Sequence, residues 1–220
     1  MFTLKTWEKN MQASTLHLAG LALSPKEIDE KIQDAKKCDS LFLEAADLLS
    51  LPQKLFDLTH LTALDLSDNR LSKVEGLGEL IRLSILDISV NILVELPRQL
   101  GLLALVQLDL SHNNLNALPK EFGSLTALKK LNLRHNNIGS LPGSFTRLSR
   151  LEFLNISNNC LFVIADGFSL PNLKKWDVRN NQLQSVTLGD MPELRSMNLL
   201  NNQLGEVFIK TFHTDIKVLS

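Results

Sequence analysis

Apolar residues in this chain recur at uneven intervals, and the unevenness itself repeats. In 105–119, LVQLDLSHNNLNALP, leucines stand at 105, 108, 110, 115 and 118, with an asparagine at 113. That is neither the three-and-four spacing of an amphipathic helix nor the strict alternation of a half-buried strand. Only the LDL core alternates, so Leu108 and Leu110 point one way and Asp109 the other. The same signature begins at Leu61, Leu83, Leu105, Leu128, Leu151, Leu173 and Leu194, at intervals of 21 to 23 residues. Two weaker copies precede it, TLHLAGLAL at 15–23 and SLFLEAADLLSLP at 40–52.

A period of this length predicts a stack of similar coils, each placing one short strand beside the last at about 4.8 Å. One coil cannot bury its own leucines, but a stack shares a continuous interior. Asn69, Asn91, Asn113, Asn136, Asn159, Asn181 and Asn202 hold one position in the repeat. Where the chain bends away from the strand, backbone groups lose their ladder partners, and an amide side chain can both donate and accept there. These seven residues are therefore predicted to form a buried ladder. Pro97, Pro119 and Pro142, with Leu100, Phe122 and Phe145 three residues on and Phe168 at the equivalent site of the next copy, predict single helical or 3₁₀ turns on the outer side. Ser24-Pro25-Lys26-Glu27 carries an N-cap, a first-position proline and a capping-box glutamate, which predicts a true helix over about 25–37.

The pattern LxxLxLxxNxLxxLPxxhxxL, with h apolar, resembles the leucine-rich repeat family over about residues 13–209. The segments LPKEFGSLTAL and LPGSFTRLSRL resemble its intracellular, Ras-suppressor style. The resemblance implies an α/β fold: a right-handed horseshoe solenoid of about nine repeats, with a parallel sheet on the concave side and short helices or turns on the convex side. It also implies a role as an interaction scaffold. Residues 1–12 are expected to cap the first coil, and 210–220 to be a cap or a truncated tenth repeat.

Composition changes this picture little. Apolar residues make up 44% of the 220 residues and charged residues 21%, with a formal net charge of −1. Such a balance offers a nucleic acid or an anionic membrane no overall attraction. With neither a signal peptide nor a segment long enough to span a bilayer in the sequence, a cytoplasmic, monomeric protein is expected. Cys38 and Cys160 fall about five coils apart, roughly 24 Å, too far for a disulfide.

Candidate chemistry is sparse. The outward residue of each strand forms the stripe His17, Phe42, Asp65, Asp87, Asp109, Asn132, Asn155, Asp177, Asn198. Asp65, Asp87 and Asp109 form a row of carboxylates that acid–base or metal chemistry would require to be clustered and desolvated. The competing reading is a row of solvated acids on a shallow surface, and it is preferred because no histidine stands among them. On that reading Asp87→Lys leaves folding nearly untouched. His112 and His135 are equivalent on adjacent repeats, but two ligands do not close a zinc site. Ser111 beside His112 has no acid to orient the imidazole. Gly123 and Gly143 are read as turn residues. No catalytic residue, metal or cofactor is expected.

The outward positions that the core does not dictate carry the remaining information. The early repeats present Glu44, Asp65, Asp68, Asp87 and Asp109; the later ones present Lys130, Arg134, Lys175 and Arg179 against Asp177. Ile85, Val90 and Phe153 add apolar side chains to the same face. A concave contact surface of Asp65, Ile85, Asp87, Val90, Asp109, His112, Lys130, Arg134, His135, Phe153, Lys175 and Arg179 is therefore expected to hold a protein partner. The alternative is a recognition segment of a larger signalling or bacterial effector protein whose activity lies elsewhere.

Overall fold

The protein's structure, a computed structural model, describes residues 15–21, 23–209 and 217–219. The proposed cap at 1–12 lies outside these residues, as do 210–216. Among the described residues the strands are β1 (Thr15–His17), β2 (Ser40–Phe42), β3 (Ala63–Asp65), β4 (Ile85–Asp87), β5 (Gln107–Asp109), β6 (Lys130–Asn132), β7 (Phe153–Asn155), β8 (Lys175–Asp177), β9 (Ser185–Leu188), β10 (Ser196–Asn198), β11 (Glu206–Ile209) and β12 (Lys217–Leu219). Strands β1 to β8, then β10 and β12, pair in that order into one parallel sheet. The register keeps each repeat position beside its equivalent: Leu86 faces Leu108, and Asp87 faces Asp109.

The alternating leucines drive this arrangement. Leu105, Leu108, Leu110 and Leu115 have no solvent exposure, and Leu118 has 5%. Their counterparts in every coil join one apolar cluster that runs from Leu18 to Leu199. Aromatic rings replace leucine toward the C-terminal end. Phe122, Phe145 and Phe168 stack at 6.1 Å intervals, and Phe168 meets Trp176 at 5.4 Å.

The asparagine ladder is present as the pattern predicts. Asn113 Oδ1 accepts from the Leu93 N–H of the preceding coil at 3.0 Å. Its Nδ2 donates to Ile88 O of that coil at 2.9 Å and to Leu110 O of its own at 3.2 Å. Asn69, Asn91, Asn136, Asn159, Asn181 and Asn202 repeat this bridging arrangement. Each amide thus satisfies backbone groups that the bend has taken from the sheet.

The outer side departs from expectation in two places. Its turns are 3₁₀ segments at Gln53–Asp57, Leu77–Glu79, Arg98–Leu102, Lys120–Ser124 and Gly143–Arg147. In the last repeats the turns give way to strands: β9 and β11 pair in parallel as a second small sheet, Val186 facing Val207. The first repeat has the capped helix α1 (Pro25–Ile32), with Glu27 N–H donating to Ser24 Oγ and Glu27 Oε2 accepting from Ser24 N–H. It tightens into a 3₁₀ turn over Gln33–Lys37, short of the full α-helix expected there.

Gly123 and Gly143 lie in the outer 3₁₀ turns, as expected, though neither has a left-handed φ. A Cβ at Gly123 would collide with Ser144 O of the next coil, so the residue permits close stacking of outer turns. Gly143 has no close neighbour, and nothing in the structure explains it. Cys38 and Cys160 are free thiols.

Candidate functional site: the concave face

Three outward columns cross the sheet, and a fourth follows just past the strands. The first contains Ala63, Ile85, Gln107, Lys130, Phe153 and Lys175; the second contains the acids; the third contains Ser67, Ser89, Ser111, Arg134, Ser157 and Arg179. In the fourth, each residue just before a ladder position adopts a left-handed backbone, including Asp68, Val90, His112, His135, Asn158, Asn180 and Asn201. The chain must turn out of the sheet there. Asp and Asn accept this conformation readily, whereas a β-branched residue such as Val90, at φ 54, is strained.

The second column overturns the solvated reading. Asp65, Asp87 and Asp109 retain only 1%, 3% and 5% of their exposure. Side chains from adjacent strands close over them, so a residue that points away from the core is nevertheless withdrawn from water. Asp109 Oδ1 accepts from Ser111 N–H and Oγ–H at 2.8 and 2.6 Å, and its Oδ2 accepts from Asn132 Nδ2 at 2.9 Å. Asp87 Oδ1 accepts from Ser89 N–H and Oγ–H at 2.9 and 2.6 Å. Burial, reinforced by the charges of Asp109 and Asp65, pushes the Asp87 carboxyl up to about 8. Burial raises Asp109 as well, opposed by its bonds from Ser111 and Asn132. The acidic half foreseen on this face is thus largely a bonded row inside it. Among the described residues no group of three or more His, Cys, Asp or Glu side chains is arranged to hold a metal ion.

The apolar positions separate too. Ile85 packs against a small cluster of Phe42 and Ala63, and Phe42 stacks on His17 at 4.4 Å. Ile85 is therefore partly committed to the sheet surface. Val90 is 44% exposed, and the two alternate residues after it, Ile92 and Val94, are similarly exposed. Together they form an apolar edge that the notation of the repeat does not distinguish from ordinary loop positions. His112 and His135 stack at 4.4 Å, and burial, with the neighbouring His112 and Arg134, lowers the His135 pKa. Beyond them Asn180 Nδ2 donates to Asn158 Oδ1 at 2.8 Å, and Asn201 Nδ2 to Asn180 Oδ1 at 2.7 Å, an outer amide chain that the sequence reading missed.

The basic residues do come together. Lys130 and Arg134 flank β7 on one side, and Lys175 and Arg179 flank it on the other. Lys175 Nζ stands 6.0 Å from the centre of the Phe153 ring. A cleft of about 520 Å³ opens here, bordered by Arg134, Phe153, Asn155, Lys175, Asp177 and Arg179. Asn155, one of the outward stripe, forms its floor with Phe153, and Ser196 and Asn198 of β10 border its far side. Arg179 Nε is 3.4 Å from Asp177 Oδ2. That contact lacks hydrogen-bond alignment, and the Nε atoms of both Arg134 and Arg179 are buried without an acceptor.

Solved structures share this architecture. A leucine-rich repeat protein of Leptospira interrogans is 27% identical, with a TM-score of 0.74 over 94% of this chain and 54% of its own. The leucine-rich repeat domain of a Shigella effector is 26% identical, with a TM-score of 0.65 over 92% of this chain and 84% of its own. An internalin of Listeria monocytogenes, at 20% identity and a TM-score of 0.68, covers 87% of this chain and 62% of its own, and shares the fold. The chain thus spans about half to three-fifths of the Leptospira and Listeria structures. No curated protein matches it by sequence. The family model for a leucine-rich repeat region matches residues 96–219, and a leucine-rich repeat model matches 57–74. With its coil period, asparagine ladder and parallel concave sheet, the chain belongs to the leucine-rich repeat proteins.

Proposed function

We propose that this chain is a non-catalytic interaction module that holds a protein partner on its concave face. The observation that carries this reading is the division of labour across the sheet. The ladder and the leucine core fix the strands, and the central acids are consumed by internal bonds. The exposed side chains around them, among them Val90, His112 and Lys175, have no part in the core. A surface held this rigidly binds with little further loss of conformational freedom. The likeness in fold to the repeat domain of a Shigella effector is consistent with this reading.

The test is affinity capture with the wild-type chain beside a Val90→Ser/His112→Ala variant, followed by titration of each captured protein against both. A partner whose affinity falls only for the concave variant supports the reading. Partners equally retained by that variant and lost on substitution of the convex turns move the site to the other face.

A second reading is favoured by one observation, the partial coverage of the longer structures. In it the chain is the recognition part of a larger signalling or effector protein. Sequencing the complete transcript tests it: a further folded domain in the same reading frame supports it, and its absence removes it.

A further inference from the structure

We propose that the basic cradle over β6, β7 and β8 recognises an extended acidic segment of the partner, with carboxylates two residues apart; this rests on the concave-face reading. Its floor is Phe153 and Asn155, bordered by Arg134, Lys175 and Arg179, with Lys130 beside Phe153 on the neighbouring strand. Within that frame only Asp177 opposes the four cations. The nearby Glu152 is engaged elsewhere, by Lys174 at 2.7 Å and Lys129 at 3.9 Å, and those bonds hold its carboxyl below the usual range.

The donors in the cradle are arranged but incompletely used. The Nε–H groups of Arg134 and Arg179 are withdrawn from water and have no acceptor. Asn155 Oδ1 takes the Ser157 N–H and Oγ–H at 3.0 and 2.7 Å. The rest of each guanidinium stays partly exposed, so an arriving anion meets its outer N–H groups and gains charge-assisted bonds there. Guanidinium forks match carboxylates in two-point geometry.

Spacing selects the form of the ligand. Arg134 and Arg179 belong to strands two apart, roughly 10 Å at the backbone, with fully buried Ser157 between them. An extended segment laid across the strands presents alternate side chains on one face, about 7 Å apart. Carboxylates at i and i+2 then come within reach of the two long arginine side chains, which take up the remaining difference of about 3 Å. A nucleic acid gains its affinity from a long track of phosphates. Here the four cations span three strands, and β10 beyond them offers Ser196 and Asn198 instead of a further cation.

The experiment is calorimetric titration of the full chain with a synthetic peptide carrying glutamates at alternate positions. Its glutamine counterpart and a single-stranded RNA oligomer are titrated in parallel. The expected result is binding of the glutamate peptide alone, weakened roughly ten- to hundred-fold by Arg134→Gln/Arg179→Gln and weakened also by Lys175→Gln, which lies at an exposed position. The control variant Arg82→Gln/Arg98→Gln, on exposed residues outside the cradle, leaves it unchanged. No peptide binding, equal binding by the cradle variants, or tighter binding of the RNA would overturn the proposal. A captured partner sensitive to Val90→Ser/His112→Ala but indifferent to the cradle variants removes this inference alone. A partner indifferent to both removes the concave-face reading with it.

Discussion

Asp87 and Asp109 lie side by side on neighbouring strands, yet only Asp109 receives an amide from the strand beyond, Asn132 Nδ2 at 2.9 Å. Asp87 has a carboxylate on either side, Asp65 and Asp109, and its hydrogen bonds come from Ser89 alone. That difference in neighbours explains why the Asp87 carboxyl is held near 8 when an ordinary aspartate ionises near 3.8.

Stability should accordingly fall as pH rises. Between about 4 and 8 the folded chain keeps a proton on Asp87 that the unfolded chain has released. The contribution is therefore complete below the unfolded value and is lost as pH passes through the folded one. The slope is at most about 1.4 kcal/mol per pH unit. Asp109 acts in the same direction, while His135, whose pKa is lowered, opposes it as pH drops through the imidazole range. Asp87→Asn should raise the thermal midpoint at pH 8 and flatten its pH dependence; an unchanged pH profile would contradict the burial of this proton.

Asp87→Lys, which the sequence alone marks as harmless, should instead destabilise the chain by about 1–3 kcal/mol. The substitution removes the acceptor of Ser89 N–H and Oγ–H and forces a longer side chain into a position that is only 3% exposed. Denaturant titration at neutral pH measures the difference.

Asn113→Ala should cost about 1–3 kcal/mol, because Leu93 N–H and Ile88 O lose their partner inside the bend. Leu110→Ala should cost about 2–5 kcal/mol through the cavity left in the shared interior. The two differ in kind: Asn113→Asp sets a buried carboxylate against Ile88 O and Leu110 O, so it should cost at least as much as alanine at neutral pH and less once the acid is protonated.

Val90→Asn should stabilise the chain by about 1 kcal/mol, since asparagine tolerates the left-handed backbone that a β-branched side chain resists. The thermal midpoint should rise by roughly 2–4 °C. If the same substitution weakens partner binding, the strain at Val90 is retained for contact.

The interior was legible in the sequence because its rules are periodic. Leu108, Leu110 and Asn113 recur with their roles in each coil, so seven copies agree on what one leaves ambiguous. The outward face obeys no such rule. Whether Asp109 meets water depends on Asn132 and Asp87, which stand one strand away and more than twenty residues distant in the chain. The four basic residues were individually visible, whereas Asn155 stood in the outward stripe with nothing to set it apart from its equivalents. The outer strands β9 and β11 had a signal that was passed over: SVTL and EVFI are rich in β-branched and aromatic residues and lack the LP tail of earlier copies.

Because every ladder amide bridges its own coil to the one before, losing a coil orphans donors and acceptors in the coil beside it. Melting should then travel inward from the two ends like a zipper, rather than begin at any one place. Amide hydrogen exchange should grade along the array, slowest around Asn113 and Asn136 and fastest at its margins.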